Sequence, residues 1–161
     1  MRSSYLLTTQ YILASVQLEA GDFAAARESF RELSAIAARH SPSAFPLAHV
    51  IEAQLLAGER RYRAAVAAID VAVQQFTAIG SARLLGTTLR IKAEIEEGLG
   101  DARAMETIRQ SVALLRRGAP AKIASRAYAV SARLTGNQRH RRKATELAGF
   151  AQLTLLEAGR G

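Results

Sequence analysis

The sequence predicts an all-α protein built from four consecutive helix-turn-helix units, on three observations. Apolar residues make up 49% of the chain, alanine is abundant and only three prolines interrupt the pattern, a mixture that favours helix almost throughout. Apolar side chains recur at helical spacing along the whole length. Small residues on that spacing also return at a near-constant interval: Ala14, Ala53, Ala93 and Ala132 lie 39, 40 and 39 positions apart. Two further columns move in step with them, Ala26, Ala65, Met105 (or Ala104) and Ala144, and Leu33, Ala72, Val112 and Ala151. Such a recurrence is the signature of stacked supersecondary units.

The first unit, with helices over 3–20 and 22–40, sets the pattern. Its helices meet at Gly21-Asp22, where glycine ends one helix and aspartate accepts hydrogen bonds from the open N–H groups of the next. Ala14 and Ala26 allow the two helices to approach, and Phe23, Phe30 and Leu33 fill the remaining space. The second unit runs over 44–58 and 60–79, with Pro46 in a first turn and Gly58 as the break before Tyr62. The third spans 81–98 and 101–117 and turns at Gly100-Asp101; the fourth spans 120–135 and 138–158, opens on Pro120 and turns at Gly136-Asn137. Ser41-Pro42-Ser43, Gly80-Ser81 and Gly118-Ala119-Pro120 join the units. These are turn compositions, too short for domain linkers, so residues 1–161 read as a single repeat domain with units over 3–40, 44–79, 81–117 and 120–158.

The residues Ala14, Gly21-Asp22-Phe23, Ala26, Phe30 and Leu33, and again Ala53, Tyr62, Ala65, Ile69 and Ala72, resemble a tetratricopeptide repeat. Units three and four depart from that pattern, with Ala102 and Arg141 in place of the aromatic residue and Met105 in place of the small one. A period near 39 is similar to the long-helix variant found in sensor arms of bacterial transcriptional regulators. The resemblance implies a right-handed α-solenoid of about eight helices that acts as a protein-binding scaffold in a regulatory or signalling protein. It also implies a concave surface lined by the first helix of each unit, which here carries Tyr11 and Ser15, Val50 and Gln54, Arg90 and Glu94, and Ala129 and Arg133, with Arg126 nearby. That surface runs from neutral and aromatic to basic, and fits a peptide with an apolar anchor followed by acidic residues. The alternative is that these positions are simply where a helical pattern puts polar groups in water.

No motif points to catalysis, a metal or a cofactor. His40, His49 and His140 each lack a second ligand at the spacing that places two donors on one helical face. Gly98 and Gly100 frame Leu99 without a preceding strand or a phosphate-loop lysine, so they read as a helix end. Glu94, Glu96 and Glu97 read as a solvated face, with Arg90 paired to Glu94 at i, i+4. Serine and threonine residues are scattered without a histidine–carboxylate set. The expectation is a binding protein rather than an enzyme.

Charge and termini complete the reading. The chain has no cysteine, which suits a reducing, cytoplasmic setting. Thr8, Thr9 and Gln10 break the first apolar run before it reaches signal-peptide length, and no apolar run is long enough to span a membrane. The net charge of +8 favours an acidic partner. Within it, Arg139, Arg141, Arg142 and Lys143 around His140 form either a solubilising surface or a footprint for phosphate or acidic groups, which leaves a nucleic-acid-associated module as the second functional reading. The last helix carries Leu147, Phe150, Leu153, Leu155 and Leu156 over a wide arc, more apolar surface than one preceding helix covers, so either the array continues in a longer protein or two copies meet here, and self-association of this chain is expected.

Overall fold

A computed structural model describes residues 2–40 and 45–158, and side chains over 6–39 and 45–152. The described residues are all-helical, in eight helices with no strand: α1 (Arg2–Glu19), α2 (Phe23–His40), α3 (Pro46–Gly58), α4 (Tyr62–Ile79), α5 (Ala82–Leu99), α6 (Ala104–Leu115), α7 (Ala121–Thr135) and α8 (Gln138–Ala158). No helix among them is long and apolar enough to cross a membrane. The turn expected at Ser41-Pro42-Ser43 lies outside the described residues. The chain divides into two compact units, Met1–Ala78 and Ile79–Gly161.

In the first unit α2 packs back on α1, and α3 packs on both. Ala14, Ala26, Leu33, Ile51 and Leu55 form the core between them, with Tyr11, Leu18 and Phe30 packed around it. Ala14 and Ala26 are fully buried, and their single methyl groups let the helices approach while Leu33 and Ile51 fill the space beside them. The second unit repeats the order: α6 packs on α5, α7 on both, and α8 on α7. Its core is Ala93, Ile108, Val130 and Leu134 next to Val112, Leu115, Ala127 and Ile123. Gly86 fixes the closest approach of α5 and α6, since a Cβ there would lie 2.7 Å from Cγ of Leu115. Beside it the buried Ser111 hydroxyl donates to the Gly86 carbonyl at 2.7 Å.

Three of the turns share one geometry. Gly21 and Gly100 both have φ of 76°, and Arg60, the one positive-φ residue that is not glycine among those described, has φ of 60°. Each is followed by the same pair of bonds. Asp22 N–H donates to Gln17 O and Gly21 N–H to Leu18 O, and the pattern recurs at Arg61 to Leu56 with Arg60 to Ala57, and at Asp101 to Glu96 with Gly100 to Glu97. This left-handed cap satisfies the carbonyls left open at a helix end. A fully buried alanine, Ala14, Ala53 or Ala93, precedes each cap by two helical turns. Asp22 and Asp101 then accept backbone N–H bonds from Ala25 and Arg103 at 3.0 and 2.9 Å, the capping role expected of them.

Three sequence expectations change. Gly58 does not form the second break: it is the last residue of α3 and Arg60 takes the left-handed position. Instead, the ring of Phe23 lies against Gly58, where a Cβ would sit 2.4 Å from Cε1. In the third unit Ala104 is the buried small residue, 3% exposed, and Met105 is 40% exposed. The fourth unit is shorter, because the left-handed Gly136 follows Gly100 by 36 residues and uses a single bond from its N–H to Ala132 O. On that step several inward residues of the two hairpins coincide, Thr88, Ile91, Ile95 and Glu96 matching Ala124, Ala127, Ser131 and Ala132, all buried. His140 then falls where Ala104 stands, whereas the buried Ala93 falls on the exposed Ala129, so the buried Ala132 still answers to Ala93 on the 39-residue step.

Candidate functional surfaces

Within the first unit, the expected partner-binding residues are drawn inward. Tyr11 is half-buried against the core, and the Ser15 hydroxyl donates to the Tyr11 carbonyl at 2.8 Å. Gln54 is half-buried. Val50 is 2% exposed and so does not line an open surface. The physical reason is that α3 buries Pro46, Val50, Ile51, Ala53 and Leu55 around most of its circumference.

In the second unit, α5 and α7 lie side by side, and two of the arginines expected on their face are matched by carboxylates. Arg90, whose side chain is 13% exposed, pairs with Glu94 one turn on, as the i, i+4 spacing predicts. Arg133 reaches from α7 to both carboxylate oxygens of Glu97 on α5. Arg126 is half-buried and Ala129 exposed. The face is therefore a patchwork of paired charges, less basic than its arginines alone suggest. The Arg133–Glu97 bridge follows from the 36-residue step, which puts the two residues at equivalent places in consecutive hairpins.

The basic run at the start of α8 is split by the helix. Arg139, Arg141 and Arg142 are exposed, whereas Lys143 is half-buried and pairs with Glu146 at 2.8 Å. His140 turns inward, with Nδ1 2.8 Å from the Ser131 hydroxyl and its ring edge-on to Tyr128, centroids 5.1 Å apart. Asn137 holds this end by accepting from the N–H groups of Arg139 and His140 at 3.0 and 3.2 Å. The Ser131–His140–Tyr128 cluster was not visible in the sequence, since its signal is the short fourth unit. Ser131 is fully buried, so its hydroxyl acts in packing and does not face a substrate.

A further concavity belongs to the first unit alone. A cleft of about 270 Å³ lies between α2, α3 and the turn after α3, with Phe30, Leu55 and Leu56 as its apolar wall and Arg27, Glu59 and Arg61 among its charged groups. Arg27 and Arg61 both donate to Glu59, and these hydrogen bonds, Arg27's first, hold the Glu59 carboxyl below its ordinary pKa. Asp101 is lowered in the same way by the Arg103 side chain and then by its backbone N–H. On α8, Leu147 is half-buried and Phe150 is 65% exposed; the side chains of Leu153, Leu155 and Leu156 lie outside those described. Among the described residues no group of three or more His, Cys, Asp or Glu side chains is placed to hold a metal ion.

Charge is divided unevenly between the two units. Residues 1–78 carry seven Lys or Arg and seven Asp or Glu, and residues 79–161 carry fifteen and seven. The whole net charge of +8 therefore belongs to the second unit. There, each carboxylate with a described side chain is in an ion pair: Glu94, Glu96, Glu97, Asp101, Glu106 and Glu146. The chain matches no family model, no curated protein and no solved structure.

Proposed function

We propose that the chain is a tetratricopeptide-like right-handed α-solenoid that binds a protein or peptide on the faces of its first helices, as a regulatory or signalling module without catalysis of its own. The observation that carries this reading is the recurrence of one turn, left-handed at Gly21, Arg60 and Gly100, each preceded at the same distance by a fully buried alanine. Support comes also from the packing order inside each unit, where the first helices α1 and α3, and α5 and α7, adjoin with a second helix behind. Rigid helices present their side chains at little ordering cost to the protein, which is what a peptide-binding surface needs. Gln54 and Arg133 are the side chains on those faces best placed to meet a ligand, because Val50 is enclosed and the Arg90 side chain is 13% exposed against 53% for Arg133.

The test is selection of peptides from a displayed library against the full chain, followed by affinity measurement on variants. Gln54→Arg or Arg133→Glu is expected to weaken selected peptides by tenfold or so, about 1.4 kcal/mol. Arg109→Glu, an exposed change on the second helix α6, should leave them within about twofold. Equal loss from all three variants, or no loss from the first two, removes the first-helix faces from the account.

A further inference from the structure

We propose that the second unit binds double-stranded nucleic acid through its phosphate backbone, without sequence preference. The proposal goes beyond the peptide-scaffold reading and does not depend on it, since it uses the distribution of charge and not the repeat. Once the ion pairs of residues 79–161 are set aside, seven exposed cations remain with no carboxylate partner among the described residues, and six of them are arginines. They fall into two groups. Arg83, Arg116, Arg117 and Lys122 gather at one end of the unit, because the start of α5, the end of α6 and the start of α7 meet there in an antiparallel stack. Arg139, Arg141 and Arg142 lie at the other end, where α7 hands over to α8. The fifteen residues of α7 separate the groups by about 22 Å.

That arrangement suits a polymer with closely spaced negative charge. A duplex presents a phosphate every ~1.7 Å along its axis, so one segment can serve both ends of the unit. Guanidinium groups grip phosphate oxygens in a two-point fashion. The second unit contains two aromatic residues, Tyr128 and Phe150, and Tyr128 is engaged with His140. A run of rings on which unpaired bases could stack is therefore missing, which favours a duplex over a single strand. Three arginines in the first turns of α8 also oppose the helix dipole, an arrangement that a bound anion would relieve.

The experiment measures binding of the full chain to a labelled random-sequence duplex of about 20 base pairs by fluorescence anisotropy, from about 50 to 200 mM salt. Binding is expected with a plot of log K against log salt steeper than about −3, since each phosphate contacted contributes about −0.9. The triple change Arg139→Gln, Arg141→Gln, Arg142→Gln should make the slope shallower by about 2.7 and weaken binding at least tenfold at intermediate salt. Arg116→Gln, Arg117→Gln, Lys122→Gln should act alike. The paired change Arg31→Gln, Arg63→Gln in the first unit should change little. All these side chains are exposed, and far-UV circular dichroism checks that the variants remain helical. No binding at the lowest salt, or triple variants that bind like the parent, overturns the proposal. So does discrimination beyond about threefold between unrelated duplexes, or a polyglutamate chain that competes as well as duplex at equal charge, which would assign the surface to an acidic protein.

Discussion

Gly86→Ala and Gly149→Ala make the same chemical change inside a helix, and the structure expects opposite signs. At both sites alanine improves helix propensity by about 1 kcal/mol. Around Gly149, in α8, nothing lies within 4 Å of the added methyl group, so the gain is kept and the unfolding free energy rises by ~0.5–1 kcal/mol. At Gly86 the methyl would meet Cγ and Cδ2 of Leu115 at 2.7 and 2.9 Å and Cβ of Leu114 at 3.2 Å. Leu115 is 2% exposed and packed with Val112 and Ala127, so it has little room to withdraw. Overpacking of this kind costs ~1–3 kcal/mol, which offsets the propensity gain and leaves a net loss of about 1 kcal/mol. The two variants should therefore differ by ~2 kcal/mol in urea denaturation at unchanged m-value. A double-mutant cycle sharpens the test: in a Leu115→Ala background the two contacts under 3.0 Å disappear and Leu114 Cβ at 3.2 Å remains, so Gly86→Ala should cost clearly less than in the parent or become neutral. If Gly86→Ala matches or exceeds the parent in stability, α5 and α6 do not approach as described.

Three other perturbations probe the turns and the buried charge. Arg60→Gly should stabilise the chain by roughly 0.5–1 kcal/mol, because Arg60 holds the left-handed conformation with φ of 60° that costs any residue with a side chain; a lower urea midpoint would contradict the turn geometry. Glu96 is fully buried, neither carboxylate oxygen has a hydrogen-bond partner, and Lys92 is its ion-pair partner at 3.7 Å. Lys92→Met should therefore destabilise by ~3–5 kcal/mol, whereas Glu96→Leu should be neutral or stabilising, and thermal unfolding that ranks them the other way refutes the pairing. Glu59 and Asp101 have folded pKa values held below their unfolded ones, so the stability they contribute is present above about pH 4 and is lost as pH falls through the folded values. The combined change Glu59→Gln, Asp101→Asn should flatten the fall in urea midpoint below about pH 4, and an unchanged acid limb would show that these ion pairs do not act.

Which features were legible in the sequence follows from how local each one is. The extents of the helices are written in apolar spacing, and Gly21-Asp22 and Gly100-Asp101 announce their turns by residue type. Arg60 does not, since arginine gives no hint of a left-handed backbone; only the 39-residue step from Gly21 and the 40-residue step to Gly100 mark it. The shortened fourth unit escaped because α7 offers alanine at 121, 124, 127, 129 and 132, so a small-residue column can slide by a turn and still find its alanine. Gly58 was misread for a related reason: a glycine that admits the Phe23 ring and a glycine that ends a helix look alike in sequence. Of the candidate partner residues, the Arg90–Glu94 pair was readable because both lie on one helix. Arg133–Glu97 and Ser131–His140 join separate helices and depend on the 36-residue step.

The 39- and 40-residue steps between the left-handed turns also separate positions that repeat from positions that vary. Ala14, Ala53 and Ala93, or Ala26, Ala65 and Ala104, are interchangeable and buried, so they encode the hairpin and nothing about what it meets. One column on the first helices diverges instead: Tyr11 and Val50 in the first unit stand where Arg90 and Arg126 stand in the second. A second column varies without that trend: Gln17, Leu56, Glu96 and Ala132 stand at equivalent places. Divergence at equivalent sites therefore goes column by column, and only the first of these columns follows the division between residues 1–78 and 79–161 that the packing makes. What does divide cleanly between the two is net charge, since all of the chain's excess positive charge is carried by residues 79–161.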